Sequence, residues 1–161
     1  MPEVRWTRNA LGFALEALGD DTAAVRCYEN AIALNDAGHG RFTSAHVNLS
    51  AYYNRTGSPD KALQYARTAL ELDPKSDRAW FQQARAEERQ GHLDEAVKSA
   101  SEAIALNPRA SSYYYVLAGL YRRLGRLDDS RKALETFTRL ERESQELDRM
   151  RRSSGAAPRK Q

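Results

Sequence analysis

Four glycines divide the chain at nearly equal intervals. They are Gly19, Gly57, Gly91 and Gly125, and the spacings between them are 38, 34 and 34 residues. A fixed period of this length predicts a stack of similar supersecondary units rather than one irregular core. It constrains the fold more than any other feature of the sequence, and we number four repeat units by these glycines.

Small side chains recur in the same register around each glycine. Seven residues before the glycines stand Gly12, Ser50, Ala84 and Ala118. Five residues after them stand Ala24, Ala62, Ala96 and Ser130. Because two antiparallel helices that cross closely need small side chains at the crossing, each unit is predicted to be a helix pair. The glycine provides the left-handed backbone conformation at which the first helix of the pair ends.

Apolar residues and prolines mark the second helix of each pair. Fifteen residues after the glycines stand Leu34, Leu72, Leu106 and Leu140, and Pro74 and Pro108 lie seventeen residues after Gly57 and Gly91. Proline ends a helix because it cannot continue the hydrogen-bond ladder. We predict an all-α fold with helix pairs at 5–18 with 21–36, 43–56 with 59–72, 77–90 with 93–106, and 111–124 with 127–150.

This pattern closely resembles the tetratricopeptide repeat, a helix–turn–helix unit of 34 residues. The resemblance covers residues 5 to about 140 and implies a right-handed superhelical solenoid of four antiparallel helix pairs, whose first helices line a concave groove. We expect a repeat array over 1–140, an extension of the last helix over 141–152, and a disordered tail over 153–161. The expected repeats are about 5–42, 43–76, 77–110 and 111–140.

Three units depart from the regular pattern. The first is four residues longer, and we expect 35–42 to hold the additional turn. In the third, Gln83 and Glu87 stand where the second and fourth units have Leu and Tyr. A charged residue there must be paired or face water, so this helix is expected to be the least stable. In the last, Phe137 stands twelve residues after the glycine, where the other units have alanine, and Arg142 stands where units two and three have proline, so the helix can continue.

Pro2 has two interpretations. It lies seventeen residues before Gly19, in register with Pro74 and Pro108 if a further unit preceded this one. On that interpretation the chain is the C-terminal piece of a longer array. Alternatively, Pro2 is an ordinary proline at the start of a helix.

Charge and hydropathy disfavour several classes of partner. The net charge is +3, but five cations and no acid lie from Arg149 onward, which leaves residues 1–148 at −2. We therefore do not expect nucleic-acid binding by broad electrostatics. No apolar run reaches 18 residues, and the start MPEVRWTRNA lacks the apolar core of a secretion signal. A soluble, cytoplasmic protein is favoured.

No motif of a catalytic or cofactor site is present in the sequence. It lacks GxxxxGK[ST], HExxH, CxxC and GxSxG, and its carboxylates follow the spacing of helix surfaces. Cys27 is the single cysteine, and His39, His46 and His92 are not at metal-ligand spacing. We expect no catalysis, no cofactor, no metal and no small-molecule substrate.

The resemblance also implies a binding surface. In this family the concave stripe of each first helix comprises the residues 13, 10, 9, 6, 3 and 2 before the glycine, which share one helical face. The full stripe carries six arginines against Glu16 and Glu88, so its charge is +4 while the rest of 1–148 is near −6. The expected peptide-binding residues are Trp6, Asn9, Phe13, Asn48, Asn54, Arg55, Arg78, Phe81, Gln82, Arg85, Arg89, Tyr115, Arg122 and Arg123.

Arginine and aromatic side chains together predict the chemistry of the partner. Arginine presents a planar fork to carboxylates and stacks on rings, and the aromatic residues of the stripe offer apolar anchors. We predict a noncatalytic scaffold that binds an acidic and hydrophobic peptide segment of another protein. Two structural alternatives are that the arginines pair with Glu16, Glu87 or Glu88, and that Phe13 and Phe81 pack between helices.

Other functions stay open on the sequence. The groove could serve a different ligand, the partner could bind the convex face, or the chain could self-associate through its N-terminal edge. The basic tail alone could contact nucleic acid or an acidic membrane, and the array could be the substrate-recognition region of a larger enzyme. A carboxylate clamp for chaperone tails is not expected, because only Asn48 and Arg78 fit among Asn9, Phe13, Asn48, Arg78 and Gln82.

Overall fold

The computed structural model describes residues 2–36 and 43–155, and every regular element in them is an α-helix. The helices are α1 (Pro2–Ala17), α2 (Asp21–Asp36), α3 (Ser44–Thr56), α4 (Pro59–Leu72), α5 (Asp77–Gln90), α6 (Leu93–Leu106), α7 (Ser111–Arg123) and α8 (Leu127–Gly155). The predicted all-α solenoid of four helix pairs is confirmed. We call α1, α3, α5 and α7 the first helices and α2, α4, α6 and α8 the second helices.

The largest differences from the predicted boundaries lie at the two ends. Helix α1 begins at Pro2. Proline suits this position because backbone N–H groups in the first turn have no acceptor within the helix, so the missing N–H costs no hydrogen bond. Pro74 and Pro108 instead lie in turns between units, so Pro2 is not their structural equivalent. Helix α8 continues to Gly155. Residues 37–42 of the expected additional turn and residues 156–161 of the expected tail lie outside the described residues.

The four glycine turns have the same geometry. Each glycine has φ between +75° and +83°, the left-handed region that side chains other than glycine disfavour. In each turn the N–H that follows the glycine donates to the carbonyl five residues earlier, as from Ser58 to Tyr53 and from His92 to Glu87, both at 2.9 Å. This Schellman bond closes the first helix and directs the chain into the second. The predicted left-handed caps are therefore confirmed.

The small residues predicted at the helix crossings are buried in all four units. Two of them are serines, and each donates its hydroxyl to a carbonyl of the facing helix. Ser50 Oγ lies 2.7 Å from the Ala62 carbonyl, and Ser130 Oγ lies 2.8 Å from the Ala118 carbonyl. A hydroxyl therefore fits the close crossing because the partner backbone satisfies it.

The crossing in unit one needs a glycine for a reason specific to that unit. Tyr28 is fully buried at the position where units two and three have Ala66 and Ala100. A Cβ added at Gly12 would lie 2.7 Å from the ring of Tyr28, which is closer than packed atoms approach. Gly12 thus makes room for a large ring between α1 and α2.

The first helices form one layer of the array. Consecutive first helices pack against each other, whereas no two second helices do so within the described residues. Within the described residues the first helices are therefore the more closely spaced of the two layers. The core is correspondingly a series of clusters between neighbouring helix pairs.

Glu87 corrects an expectation for unit three. The side chain does not face water, since it is only 5% exposed, and it pairs with no cation of the described helices. Ser99 Oγ donates to one carboxylate oxygen at 2.7 Å, and Gln83 Nε2 donates to the other at 2.9 Å. Two neutral donors therefore satisfy the carboxylate inside the helix pair.

Candidate functional site

Three expected site residues form a chain of hydrogen bonds across three consecutive first helices. Asn48 Nδ2 on α3 donates to Asn9 Oδ1 on α1 at 3.0 Å. Arg78 Nη2 on α5 donates to Asn48 Oδ1 at 3.2 Å. The stripe positions of units one, two and three are therefore adjacent in space, although 30 and 39 residues separate them along the chain.

The two glutamates of the stripe are both paired with arginines of the stripe. Arg55 on α3 forms an ion pair and a hydrogen bond with Glu16 on α1, and its Nη2 also lies 3.6 Å from Asp21. The hydrogen bond to Glu16 is the largest influence that raises the pKa of Arg55. Arg123 Nη1 on α7 lies 3.3 Å from a carboxylate oxygen of Glu88 on α5. The stripe's own acids are thus neutralised within the stripe, as the structural alternative for Glu16 and Glu88 proposed.

The remaining arginines are not neutralised to the same degree. Arg78, Arg89 and Arg122 are exposed and make no ion pair within residues 2–36 and 43–155. Arg85 Nε lies 3.8 Å from Glu88, which is an ion-pair distance but too long for a hydrogen bond. An excess of positive charge therefore stays accessible on α5 and α7.

The expected aromatic anchors divide into exposed and packed rings. Trp6, Phe13 and Tyr115 are 59%, 65% and 61% exposed. Phe81 instead stacks on Tyr113 of α7 with ring centroids 4.5 Å apart, so it helps to join units three and four. The alternative that a ring packs between helices therefore applies to Phe81 and not to Phe13.

Asn54 and Gln82 hold α3 and α5 together. Asn54 is only 4% exposed, and its Nδ2 donates to the carbonyl of Gln82 at 2.9 Å and to Gln82 Oε1 at 3.1 Å. These bonds occupy the Nδ2 of Asn54, whereas its Oδ1 is buried without a hydrogen-bond partner in the described residues. Its contribution to a binding surface is consequently the positioning of its neighbours.

A cleft of about 300 Å³ lies between α5, α7 and α8. Arg85, Tyr115 and Arg122 of the expected site line it. Gly119 and Leu134 also line the cleft, and sequence reasoning did not include either among the binding residues. For Gly119 the signal was available, since it is the only glycine among the stripe positions of the four first helices.

The expected site residues thus form two neighbouring groups. The first joins α1, α3 and α5 through Asn9, Asn48 and Arg78, and the second surrounds the cleft at Arg85 and Arg122. None of the helices in the described residues is both long and apolar enough to cross a membrane.

Comparison with known proteins relates this arrangement to helical-repeat proteins. Two family models described as tetratricopeptide repeat match residues 3–75 and 81–146, which together account for most of the chain. No curated protein matches the chain significantly.

Solved structures with a similar backbone are described as MamA. One, a MamA RS-1 ArsTM double mutant, has 19% sequence identity and a TM-score of 0.72, covering 87% of this chain and 76% of that one. Another MamA crystal structure has 23% identity and a TM-score of 0.72, covering 88% of this chain and 75% of that one. At this level of identity the similarity shows the fold alone.

Proposed function

The chain belongs to the tetratricopeptide repeat family, and from that premise we propose that it is a noncatalytic scaffold that binds an acidic peptide segment of another protein. The peptide lies along the first helices, in the groove that these helices form on the inner curve. Its carboxylates bind the arginines of α5 and α7, and its apolar side chains contact the exposed rings.

One observation carries this proposal. The acids of the stripe, Glu16 and Glu88, are already paired with Arg55 and Arg123. Arg78, Arg89 and Arg122 therefore have no acid partner within the described residues, and the charge segregation that the sequence shows is not cancelled by the packing. A ligand with carboxylates supplies what these guanidinium groups lack, with the bidentate geometry that arginine favours.

Rings near the cations strengthen the case for a peptide. Tyr115 is exposed beside Arg122 in the cleft, and Phe13 is exposed on α1 in the same layer of first helices. Interfaces derive most of their binding energy from a few aromatic and arginine anchors, so this combination suits a peptide with both acidic and hydrophobic residues.

Charge reversal on α5 tests the proposal. The variant Arg78→Glu with Arg89→Glu changes two exposed stripe residues and breaks no ion pair in the described residues. It does remove the hydrogen bond from Arg78 to Asn48, so a thermal melt checks that the variant stays folded. The matched control is Arg67→Glu with Lys98→Glu, which makes the same change of charge on the second helices α4 and α6. The probe is the synthetic peptide Ac-GDEADEG-NH2, followed by NMR titration.

We expect the stripe variant to weaken binding of this peptide about tenfold or more, and the control to change it much less. Binding by the unaltered protein is also expected to weaken as salt rises from about 0.05 M to about 0.5 M, because exposed charge pairs are screened. If both variants weaken peptide binding equally, the effect comes from the overall charge of the protein, and the peptide does not bind specifically at the first helices.

Self-association is a second candidate function, and exposed apolar residues on α1 and in the turn that follows it favour it. Val4, Leu11 and Leu18 recur every seven residues and are all exposed. In the interior of the array a second helix packs against each first helix, as α2 does against α3. A second helix of another copy, such as α8 with its exposed Leu127 and Leu134, would cover this edge of α1.

Light scattering over a concentration series tests this candidate. A head-to-tail contact predicts an apparent mass that rises with protein concentration, and Leu11→Glu should return the protein to a monomer. A constant monomeric mass at all concentrations would eliminate self-association through this edge.

A further inference from the structure

The cleft between α5, α7 and α8 exists because unit four has a glycine in the stripe. Six residues before their glycines, units one, two and three have Phe13, Ala51 and Arg85, whereas unit four has Gly119. A Cβ added at Gly119 would meet no atom within 4 Å, so the space above this residue is open. Gly119 lies within α7 and is not needed for a turn, which leaves the open space as its structural consequence.

The walls of the cleft are apolar and aromatic. Val116 of α7 and Leu134 of α8 line it, and Leu134 is partly exposed. The ring of Tyr115 is backed by Phe137 with centroids 5.5 Å apart, yet most of the tyrosine is exposed. A volume of about 300 Å³ is at the small end of ligand pockets, which suits one large side chain rather than a whole small molecule.

Two arginine side chains line the same cleft. Arg122 is exposed and makes no ion pair within the described helices, and Arg85 Nε is buried without a hydrogen-bond acceptor there. Glu88 also lines the cleft. Arg123 Nη1 lies 3.3 Å from its Oε1, and its Oε2 lies 3.8 Å from Arg85 Nε, which is an ion-pair distance but too long for a hydrogen bond. A buried donor without an acceptor is costly, so a ligand carboxylate near Arg85 would be favoured at this place.

We propose that this cleft is the anchor pocket of the groove. It takes one aromatic or large aliphatic side chain of the bound peptide, while an adjacent carboxylate of the same peptide binds Arg85 and Arg122. Gly119 is the residue that determines this specificity, because a side chain as large as leucine there fills the pocket. The inference rests on the proposed function, since it assigns one subsite within the acidic-peptide groove.

Two peptides separate the anchor from the acidic groove as a whole. They are Ac-GDEADEG-NH2 and Ac-GDEFDEG-NH2, which have the same charge and differ only in the central side chain. Burial of a phenylalanine ring predicts that the second peptide binds about tenfold or more tightly than the first. We expect the variant Gly119→Leu to abolish this difference, and the control Gly119→Ala to keep most of it.

Both substitutions suit the helix, because Ala and Leu favour helical backbone more than Gly does. A thermal melt followed by circular dichroism checks that the variants stay folded. Independently of any variant, contacts between the phenylalanine ring and the methyl groups of Val116 and Leu134 should appear in NMR spectra of the unaltered protein.

The outcomes are distinguishable. If both peptides bind equally and charge reversal on α5 still weakens them, the anchor pocket is wrong and the acidic groove stands. If the phenylalanine preference persists in a folded Gly119→Leu variant, the ring binds elsewhere and the proposal is overturned. If neither peptide binds the unaltered protein, both the groove and the anchor fail.

Discussion

Units two and three have the same helix-pair backbone but opposite chemistry between their helices. Three positions show the contrast: eight and four residues before the glycine, and eight after it. In unit two these positions hold Leu49, Tyr53 and Tyr65. The rings of Tyr53 and Tyr65 stack nearly parallel with centroids 5.6 Å apart, and Leu49 is fully buried. The contact in unit two is therefore apolar and aromatic.

Unit three holds Gln83, Glu87 and Ser99 at these positions. All three are joined by hydrogen bonds, with Ser99 and Gln83 donating to Glu87, and Gln83 Nε2 also lying 3.3 Å from Ser99 Oγ. Unit four again has apolar and aromatic residues in the first helix, Leu117 and Tyr121, and has Ala133 at the position eight residues after the glycine. The exchange in unit three thus involves all three positions together.

The comparison teaches that the fold tolerates either an apolar contact or a closed polar network at this interface. A mixture is unfavourable, because a polar group without a partner loses its bonds to water and gains nothing. Three of the four predictions below test this dependence directly, and the last concerns the junction between units three and four.

The largest effect is expected from placing the charge of unit three into unit two. Tyr53→Glu removes the stacked ring and puts a carboxylate beside Leu49 and Tyr65, without the paired donors that unit three gives to Glu87. A cation is close, since the ammonium of Lys61 lies 5.1 Å from the centroid of the Tyr53 ring, but it is at the half-buried edge of this contact. We expect the free energy of unfolding to fall by about 3–5 kcal/mol in urea denaturation followed by circular dichroism. Tyr53→Phe, which keeps the ring, is the control. A loss below about 1 kcal/mol would show that this position reaches water and that the two interfaces are less different than described.

Breaking the polar network at one member should cost less. Glu87→Ala leaves the donors of Gln83 and Ser99 without their acceptor inside the helix pair. We expect a loss of about 1–3 kcal/mol in the same measurement. Glu87→Gln keeps one carbonyl acceptor and should lose less than the alanine variant. Identical behaviour of the two would mean that the hydrogen bonds contribute nothing.

Replacing the whole network should cost less again. The triple variant Gln83→Leu, Glu87→Tyr, Ser99→Ala installs the residues of unit four in unit three. Because every polar partner is removed together, its stability should lie within about 1 kcal/mol of the unaltered protein or exceed it. The loss must then be smaller than that of Glu87→Ala alone. A triple variant less stable than the single one would contradict the interchangeability of the two interfaces.

The smallest effect is expected on stability at acid pH, through a carboxylate at the junction of units three and four. Burial by itself raises the pKa of Asp77, but hydrogen bonds from Asn107 and Tyr113 outweigh it, and the net pKa lies below the ordinary value. A carboxyl whose pKa is lower in the folded state adds stability above its unfolded pKa, and this contribution is lost as pH falls through the folded pKa.

The resulting loss lies below about pH 4. Asp77→Asn should therefore reduce the dependence of the melting temperature on pH in that range and leave the shape of the curve near pH 7 unchanged. Unit two has Thr43 at the equivalent position, so Thr43→Ala, which removes no titratable group, is the control. If the melting temperatures of Asp77→Asn and of the unaltered protein fall in parallel in this acid range, Asp77 is excluded as the cause of the fall.

Most of the backbone was predictable from the sequence, and the reason is local. The glycines ended the first helices where expected, since only the left-handed conformation at Gly57 or Gly91 allows the Schellman bond that follows. Proline, in contrast, was ambiguous. Pro2 shares a register with Pro74 and Pro108 but starts a helix instead of lying in a turn, because proline suits both places.

The candidate site was predictable only as a set of positions. The register indicated which residues of the first helices share a face, and the chain of Asn9, Asn48 and Arg78 bears out their proximity. It did not indicate that Asn54 is buried against Gln82, because that depends on how far α3 lies from α5. Nor did it indicate a cleft at Gly119, whose far wall is Leu134 of a second helix.

The sequence by itself determined the repeat, the helix pairs and the surplus of arginine on one face, because glycine turns, small residues at crossings and helical periodicity act over a few residues. Only the tertiary structure decided which charges stay available. Glu16 meets Arg55 across 39 residues and Glu88 meets Arg123 across 35, and such pairs form only when neighbouring units stack within reach of a side chain. The depth of the cleft has the same origin, since three helices from two units enclose it.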